Sequence, residues 1–145
     1  MSKILLFSLM MVSLSVSAYT GNIRYELIIE SSSERMGQYV IRYFNTLKSP
    51  CMGYLQNLTS DKSNNWSIYQ TKTLCELDGK PTTSGFTAAT ITKLEFKESS
   101  IHMVIITTEL RPTGEYLRHC TIKVNKGTFS LMHCSKAGRA EDFEF

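Results

Sequence analysis

The sequence lacks the local motifs that identify most enzyme classes. No serine stands in the Gly-x-Ser-x-Gly turn of the α/β-hydrolases, and no spaced pair of acidic residues indicates glycoside hydrolysis. Histidine occurs only as His102, His119 and His133, and none belongs to a nucleophile motif. We therefore predict no catalytic and no cofactor-binding residue. An enzyme remains open for the case in which two histidines, or a histidine and a carboxylate, meet in one cleft.

Blocks of like charge are also missing. The 16 basic and 13 acidic residues are scattered along the chain, with no basic run and no acidic tail. A nucleic-acid partner would require a clustered basic stripe, and a membrane-surface helix would require lysine and arginine on one face. Beyond the N-terminus no apolar run approaches the roughly 20 residues that cross a bilayer. The sequence thus predicts no nucleic-acid partner and no membrane insertion of the mature chain.

The long apolar run at the N-terminus has the form of a signal peptide. Lys3 precedes the apolar residues 4–12, and Val16-Ser17-Ala18 places small or short residues where a signal peptidase requires them. We predict a signal peptide over residues 1–18, so that 127 of the 145 residues remain in a secreted or periplasmic protein. That length forms one domain, predicted over residues 19–134, followed by a polar tail over residues 135–145.

All four cysteines, Cys51, Cys75, Cys120 and Cys134, lie in the mature part. An even count in a small exported domain predicts disulfides. Of the three possible connectivities, a geometric argument favours Cys120 with Cys134, which leaves Cys51 with Cys75.

The argument for the first pair rests on a predicted hairpin of residues 115–124 and 128–134. If its turn centres on Gly127, Cys120 and Cys134 face each other across the hairpin, where Cβ atoms lie about 4.5–5.5 Å apart. A slip of one residue would place the two side chains on opposite faces. The disulfide therefore also predicts the register of the hairpin.

The dipeptides His119-Cys120 and His133-Cys134 suggest a metal site as the alternative. In an extended strand, however, adjacent side chains point to opposite faces. A histidine and the cysteine beside it cannot both reach one ion, so we predict no metal ligands.

Residues 31–47 show the pattern of an amphipathic helix. Ser31 and Glu34 form a capping box at its start, and Lys48 and Pro50 fit its end. Apolar residues recur at intervals of three and four, as one stripe of a helix requires: Met36, Tyr39, Val40, Tyr43, Phe44 and Leu47. We predict one helix here.

Alternating and β-branched residues predict strands on both sides of this helix. They lie at residues 23–30, 52–55, 66–77, 87–97, 101–110, 115–124 and 128–134. Turn residues separate the later strands, as in an antiparallel sheet. The predicted fold class is α+β, with one N-terminal amphipathic helix packed on a curved antiparallel sheet of about five strands in the order β-α-β-β-β-β-β.

This order is similar to the cystatin-like architecture, and the sequence Tyr-Val-Ile-Arg-Tyr-Phe-Asn at residues 39–45 resembles its helix. The resemblance implies the fold only. The Gln-Val-Val-Ala-Gly hairpin that cystatins insert into protease clefts has no counterpart here, and their late Pro-Trp pair is also missing. Protease inhibition is therefore not implied.

These observations predict a small, rigid, non-enzymatic binding protein that uses no cofactor. We expect its partner to be another protein of the exported compartment, which an inhibitor or immunity-type protein would block. Loops on a rigid scaffold carry such contacts. The candidate partner-binding residues therefore lie in or beside the loops 57–65 and 79–86: Asn57, Asp61, Asn65, Trp66, Lys80 and Phe86.

Two other binding functions stay open. A small-molecule or lipid carrier would use a cavity between the helix and the sheet. A stacking platform for a sugar or a peptide would use the aromatic residues of the strands, namely Tyr54, Trp66, Tyr69 and Tyr116.

Overall fold

The computed structural model describes residues 23–142. The predicted signal peptide and residues 143–145 of the predicted tail lie outside the described residues. The strands of the described chain are β1 (Ile28–Met36), β2 (Tyr39–Thr46), β3 (Tyr54–Ser60), β4 (Trp66–Thr73), β5 (Glu76–Leu77), β6 (Lys80–Pro81), β7 (Ala88–Lys97), β8 (Ser100–Leu110), β9 (Thr113–Asn125), β10 (Thr128–Phe129), β11 (His133–Cys134) and β12 (Gly138–Arg139). Two 3-10 turns, Tyr25–Leu27 and Ala140–Asp142, are the helical elements of this part.

The strands form two main antiparallel sheets. The first sheet has the order β1-β2-β3-β4, and the second has the order β10-β9-β8-β7, with β11 and β12 also paired to β9. The short strands β5 and β6 pair only with each other. Buried residues from both main sheets form one hydrophobic core, so the architecture is a two-layer β-sandwich.

The predicted α+β class is wrong, because the predicted helix is a β-hairpin. Residues 31–47 divide between β1 and β2, which pair from Ile28 opposite Thr46 to Met36 opposite Tyr39. Gly37 stands at the first central position of the connecting turn with φ +63°, which suits a type II′ turn. The order of the cystatin-like fold is therefore not adopted.

The sequence of strand β2 has the pattern of a helix because the strand carries buried apolar residues on both of its faces. Ile41 and Tyr43 point into the core between the sheets. Phe44 points to the other face, where it is fully buried in a second cluster with Cys51 and Tyr54. A strand that is apolar on both faces shows no clean alternation, and its apolar residues then also satisfy the three-and-four spacing of a helix.

The core between the sheets is built mainly by long apolar side chains of β8 and β9 against β2 and β3. Its buried residues include Ile41, Leu55, Ile101, Met103, Ile105 and Ile122. On β8, buried residues alternate with half-buried ones from Ser100 to Thr108. The alternation fixes the register of β8, because a slip of one residue would turn every side chain to the other face.

Both predicted disulfides are confirmed. Cys51 is bonded to Cys75, and Cys120 is bonded to Cys134. The first disulfide joins the segment before β3 to the segment before β5, and the second fixes β11 to β9. Two disulfides are compatible with an exported protein.

The hairpin register differs from the prediction in one detail. Thr128 pairs with Asn125, so the turn consists of two residues and does not centre on Gly127. One extra residue before His133 then shifts the register, and Cys134 comes to lie opposite Cys120. The predicted pairing is thus reached through an irregularity of the kind that a β-bulge introduces.

Candidate functional site

Asn57 is a structural residue and does not lie in a loop as predicted. It belongs to β3, is completely buried, and donates from Nδ2 to the backbone carbonyl of Gly127 in the β9–β10 turn. Nearby, the backbone N–H of Phe129 donates to Oε1 of Gln70 at 3.0 Å. These two hydrogen bonds tie the first sheet to the end of the second, so Asn57 is unsuited to contact a partner.

Asp61 organises the loop that joins β3 to β4. Its Oδ1 accepts the backbone N–H groups of Ser63 at 2.8 Å and Asn65 at 3.0 Å. These hydrogen bonds hold the pKa of the exposed Asp61 carboxyl below its usual range, with the Asn65 N–H as the largest cause. Asn64 closes the loop with φ +60°, a conformation that Asn tolerates well. The loop therefore presents Asp61 and Asn65 in one defined shape.

Trp66 begins a set of apolar side chains on the outer face of the first sheet. Ile68 shares its strand, and the register places Leu58 opposite Ile68 and Val40 opposite Leu58. Trp66 is 49 % exposed and Ile68 is 48 % exposed. We call these four residues the outer patch: Val40, Leu58, Trp66 and Ile68. Tyr69, 57 % exposed, is the residue that the bulge in β4 leaves unpaired.

The outer patch is bordered by polar and cationic residues. Arg35 lies opposite Val40 in the same row of the sheet. In the next row, Arg42 lies between Ser33 and Gln56. No acidic residue shares these rows among the paired residues of the first sheet. An apolar centre with a cationic border fits a partner surface that is apolar in the middle and acidic at its rim.

Arg42 is held rigidly next to the patch. Its guanidinium carbon lies 5.2 Å from the centre of the Phe44 ring and 6.0 Å from that of Tyr25, within the range of cation–π interactions. Its Nη2 donates to Oε1 of Gln56, whose amide in turn donates to the Tyr25 hydroxyl at 2.8 Å. Arg42 lies within the residues 31–47 that were predicted to form a helix, and the sequence pattern does not indicate this group.

The second predicted loop, residues 79–86, contains one exposed and one buried candidate for partner binding. Lys80 belongs to the exposed strand β6. Phe86 is 7 % exposed, and its ring lies between two cationic groups, 5.8 Å from the Lys80 ammonium and 5.5 Å from the Arg118 guanidinium. Phe86 packs the loop against the second sheet and is not available to a partner.

Arg118 anchors this loop from β9. Its side chain is 5 % exposed, and it pairs with Asp78 at 2.8 Å and with Glu109 at 3.0 Å. Its Nη1 also donates to the Thr107 hydroxyl at 2.6 Å. All its bonds are internal, so the group is structural. Only the tertiary fold could reveal it, because Asp78 and Arg118 are 40 residues apart.

The predicted stacking platform does not assemble. Tyr54 is buried and stacks on Phe44 at 5.2 Å. Tyr116 lies on the second sheet, where its hydroxyl donates to the Pro112 carbonyl at 3.1 Å. Trp66 and Tyr69 belong to the same strand, but the Tyr69 ring lies near Tyr39, which packs against the core between the sheets.

A cleft opens where three hairpin turns meet at one end of the sandwich. It encloses about 460 Å³ and is lined by residues of the β1–β2, β7–β8 and β9–β10 turns, including Met36, Tyr39, Val124, Glu98 and Lys126. The predicted cavity between a helix and the sheet does not exist in the described part of the chain. This turn-end cleft is the candidate place for a small apolar ligand.

His102, His119 and Glu95 line a second, smaller trough of about 180 Å³ on the outer face of the second sheet. The two Glu95 oxygens are bound by Lys93 at 2.9 Å and Lys97 at 3.5 Å, and the Lys93 hydrogen bond is the largest cause that lowers the Glu95 pKa. A general acid needs a raised pKa, so Glu95 does not fit that role. The trough does bring two histidines and a carboxylate together, which is the arrangement that keeps an enzyme open.

No group of three or more His, Cys, Asp or Glu side chains within residues 23–142 is arranged to hold a metal ion. In the same residues, no helix has the length and apolarity to cross a bilayer. Comparison of the chain with protein-family models, with curated proteins and with solved structures finds no match.

Proposed function

We propose that this protein is a small exported binding protein that blocks another protein, and that it does so through the outer patch. The observation that carries the proposal is the pair Trp66 and Ile68, each about half exposed on the same face of an ordered strand. Large apolar side chains gathered on a surface mark interaction sites more often than scattered ones do. Tryptophan is also the residue most enriched among interface hot spots.

The rigidity of the patch supports the proposal. Strand β4 pairs with β3 along its whole length, and Gln70 fixes it to the second sheet through Phe129. Tyr69 rests 6.0 Å from the Tyr39 ring. A surface that is already ordered loses little conformational entropy on binding. The ordered loop that contains Asp61 and Asn65 extends this surface at the start of β4.

The expected partner presents an apolar surface with acidic groups opposite Arg35 and Arg42. The second candidate function is carriage of a small apolar ligand in the turn-end cleft, which is lined by Met36, Tyr39 and Val124. The cleft and the outer patch consist of different residues, so the two functions can be tested separately.

The first experiment is native mass spectrometry of the protein purified from the compartment to which its own host exports it. We expect a stoichiometric complex with a second protein. The double variant W66A/I68A should then weaken the dissociation constant, measured by calorimetry, by about tenfold or more, since loss of a hot spot costs about 2 kcal/mol or more. The variant R35E should weaken it as well by opposing the acidic rim.

The matched control is I29A/L131A. These residues are 63 % and 76 % exposed, so the control removes two exposed apolar side chains outside the patch. It should leave the affinity within about twofold of the original, because scattered surface residues contribute little. Equal losses in both double variants would refute the placement at the outer patch. A complex with a small molecule that Met36→Ala releases would favour the carrier.

A further inference from the structure

All three histidines of the sequence lie on one face of the second sheet. The strand register forms rows across this sheet, and in one row Glu95 of β7 lies opposite His102, which lies opposite Thr121 and then His133 of β11. Residues that pair directly share a face of the sheet. In a neighbouring row Lys93 lies opposite Val104, which lies opposite His119. Histidines separated by up to 31 positions in the chain are therefore neighbours on one surface.

Lysines lie on the same face of the sheet, on both sides of the histidines. Lys97 lies opposite Ser100, which lies opposite Lys123, and Lys93 stands two rows away. We call the set of these residues the basic face: Lys93, Lys97, His102, His119, Lys123 and His133. The side chains of Lys93 and Lys97 are 65 % and 58 % exposed, so both ammonium groups are accessible to a ligand.

A β-bulge in β7 creates this face. The register shifts between Ile91, opposite Ile105, and Lys93, opposite Val104, so that Thr92 is inserted. In a regular strand of the same sequence, Thr92 would lie opposite Val104. Lys93 would then point into the core like Ile91, because side chains two positions apart share a face. The bulge instead turns Leu94 and Phe96 into the core and the charged residues outward. Bulges commonly re-aim side chains at functional positions.

The charge of the basic face depends on the state of its histidines. Three lysines and Glu95 give a net charge of +2 while the histidines are neutral, and protonation of all three raises it to +5. The groups around the histidines are the lysines and Glu95 on β7, Ser100 on β8, and Lys123 on β9. Lys136 follows Ser135, whose backbone N–H bonds the His119 carbonyl. Glu95 is the one acidic residue in the rows described above, and two lysines already bind it.

We propose that the basic face binds a linear polyanion that carries sulfate or phosphate groups, and that the binding strengthens at mildly acidic pH. The trough is lined by His102 and His119 together with Lys93 and Lys97, so an anionic group of a chain that enters it can contact lysine and histidine together. Ionic contacts of this kind release counterions, so the affinity should fall steeply with salt.

The inference is independent of the proposed function, because no residue of the outer patch takes part. The test uses binding of the full mature protein to heparin, to inorganic polyphosphate and to vesicles of anionic phospholipid. We expect the dissociation constant for heparin or polyphosphate to decrease about tenfold between about pH 7.5 and about pH 5.5, the range in which histidine gains its charge. Binding to heparin alone would identify a sulfated chain, and binding to polyphosphate alone a phosphate chain.

Four variants distinguish the contribution of this face from that of the net charge. K93Q/K97Q/K123Q should weaken binding at both pH values by about tenfold or more, because three ionic contacts are lost. K48Q/K62Q/K126Q removes the same charge from other surfaces and should have little effect. H102Q/H119Q/H133Q should keep the binding at the higher pH and lose the increase at the lower one. W66A/I68A should bind like the original protein.

Three outcomes would overturn the proposal. Equal losses in the two lysine variants would show that only net charge matters. An unchanged pH dependence in the histidine variant, checked as folded by circular dichroism, would show that the histidines are not involved. Binding to the vesicles without binding to either soluble polyanion would replace the chain with a membrane surface.

Discussion

The Arg118 guanidinium donates from Nε to Oδ2 of Asp78 at 2.8 Å, and this ion pair joins two parts of the chain that are 40 residues apart. It fastens the β5–β6 hairpin to β9. The Arg118 side chain is 5 % exposed and the Asp78 side chain 44 %. The two partners of one ion pair therefore lie in very different surroundings, and their substitution should have unequal effects.

Arg118→Ala should lower the free energy of unfolding by about 3–5 kcal/mol, because it leaves buried polar partners without their cation. Asp78→Asn should cost at most about 1 kcal/mol, since Asp78 is partly solvated and Glu109 still pairs with Arg118. Urea denaturation of each variant measures the change in the free energy of unfolding. Arg139→Ala, which removes an exposed pair with Glu141, is the control and should cost less than about 1 kcal/mol. Similar losses for Arg118 and Arg139 would contradict a structural role of the buried pair.

The sequence predicted the second sheet well and the first one badly, for physical reasons. The strands 87–97 and 101–110 alternate between a buried and a solvated face, and the structure places β7 and β8 within one residue of these bounds. In the first sheet, burial of both faces of β2 removed this alternation. The signal that was overlooked is Gly37, which interrupts the predicted helix and costs about 1 kcal/mol there relative to alanine.

The functional surfaces were only partly predictable. Trp66 was a candidate from the sequence, whereas Val40 and Leu58 join it only through the strand register. The basic face could not be found, because its charges are scattered in sequence and are gathered by pairing across three strands. The β-bulge at Thr92 decides on which side of the sheet Lys93 lies. Such a bulge has no clear signature in the local sequence.

Substitution of two turn glycines should distinguish the energetic cost of backbone strain from that of steric crowding. Gly37 and Gly127 both have positive φ, +63° and +79°. A Cβ at Gly37 would meet no atom within 4 Å, whereas a Cβ at Gly127 would lie 2.8 Å from the Tyr39 ring. Gly37→Ala should therefore cost about 1–2 kcal/mol from backbone conformation alone. Gly127→Ala should cost about 2–4 kcal/mol, since crowding is added.

Thermal and urea denaturation of the two glycine variants provide the comparison. Gly127→Ala should also disturb the hydrogen bond from Asn57 to the Gly127 carbonyl, and thereby the contact between the sheets. Equal stability of the two variants would mean that the turn shifts freely and that Asn57 does not fix it.

Tyr43 makes the stability of the fold sensitive to alkaline pH. Its side chain is 2 % exposed, and its hydroxyl donates to the Met52 carbonyl at 3.3 Å. Burial raises the pKa of Tyr43 to about 12, and the Glu30 carboxylate adds to the effect. In the unfolded chain the phenol releases its proton near pH 10. The neutral phenol thus favours the folded state, and this contribution is complete below about pH 10 and declines as the pH rises toward 12.

The free energy of unfolding should fall by about 2–3 kcal/mol over this interval because of Tyr43 alone. Tyr43→Phe should reduce the decline, at the expense of the hydrogen bond to Met52, which contributes about 0.5–1.5 kcal/mol. Urea titrations at a series of alkaline pH values, each completed quickly enough to preserve the disulfides, measure the slope. Tyr69→Phe, at a position 57 % exposed, is the matched control and should keep the full decline. A decline of the same size in Tyr43→Phe would assign the pH dependence to other groups, because that variant has no phenolic proton to lose at this position.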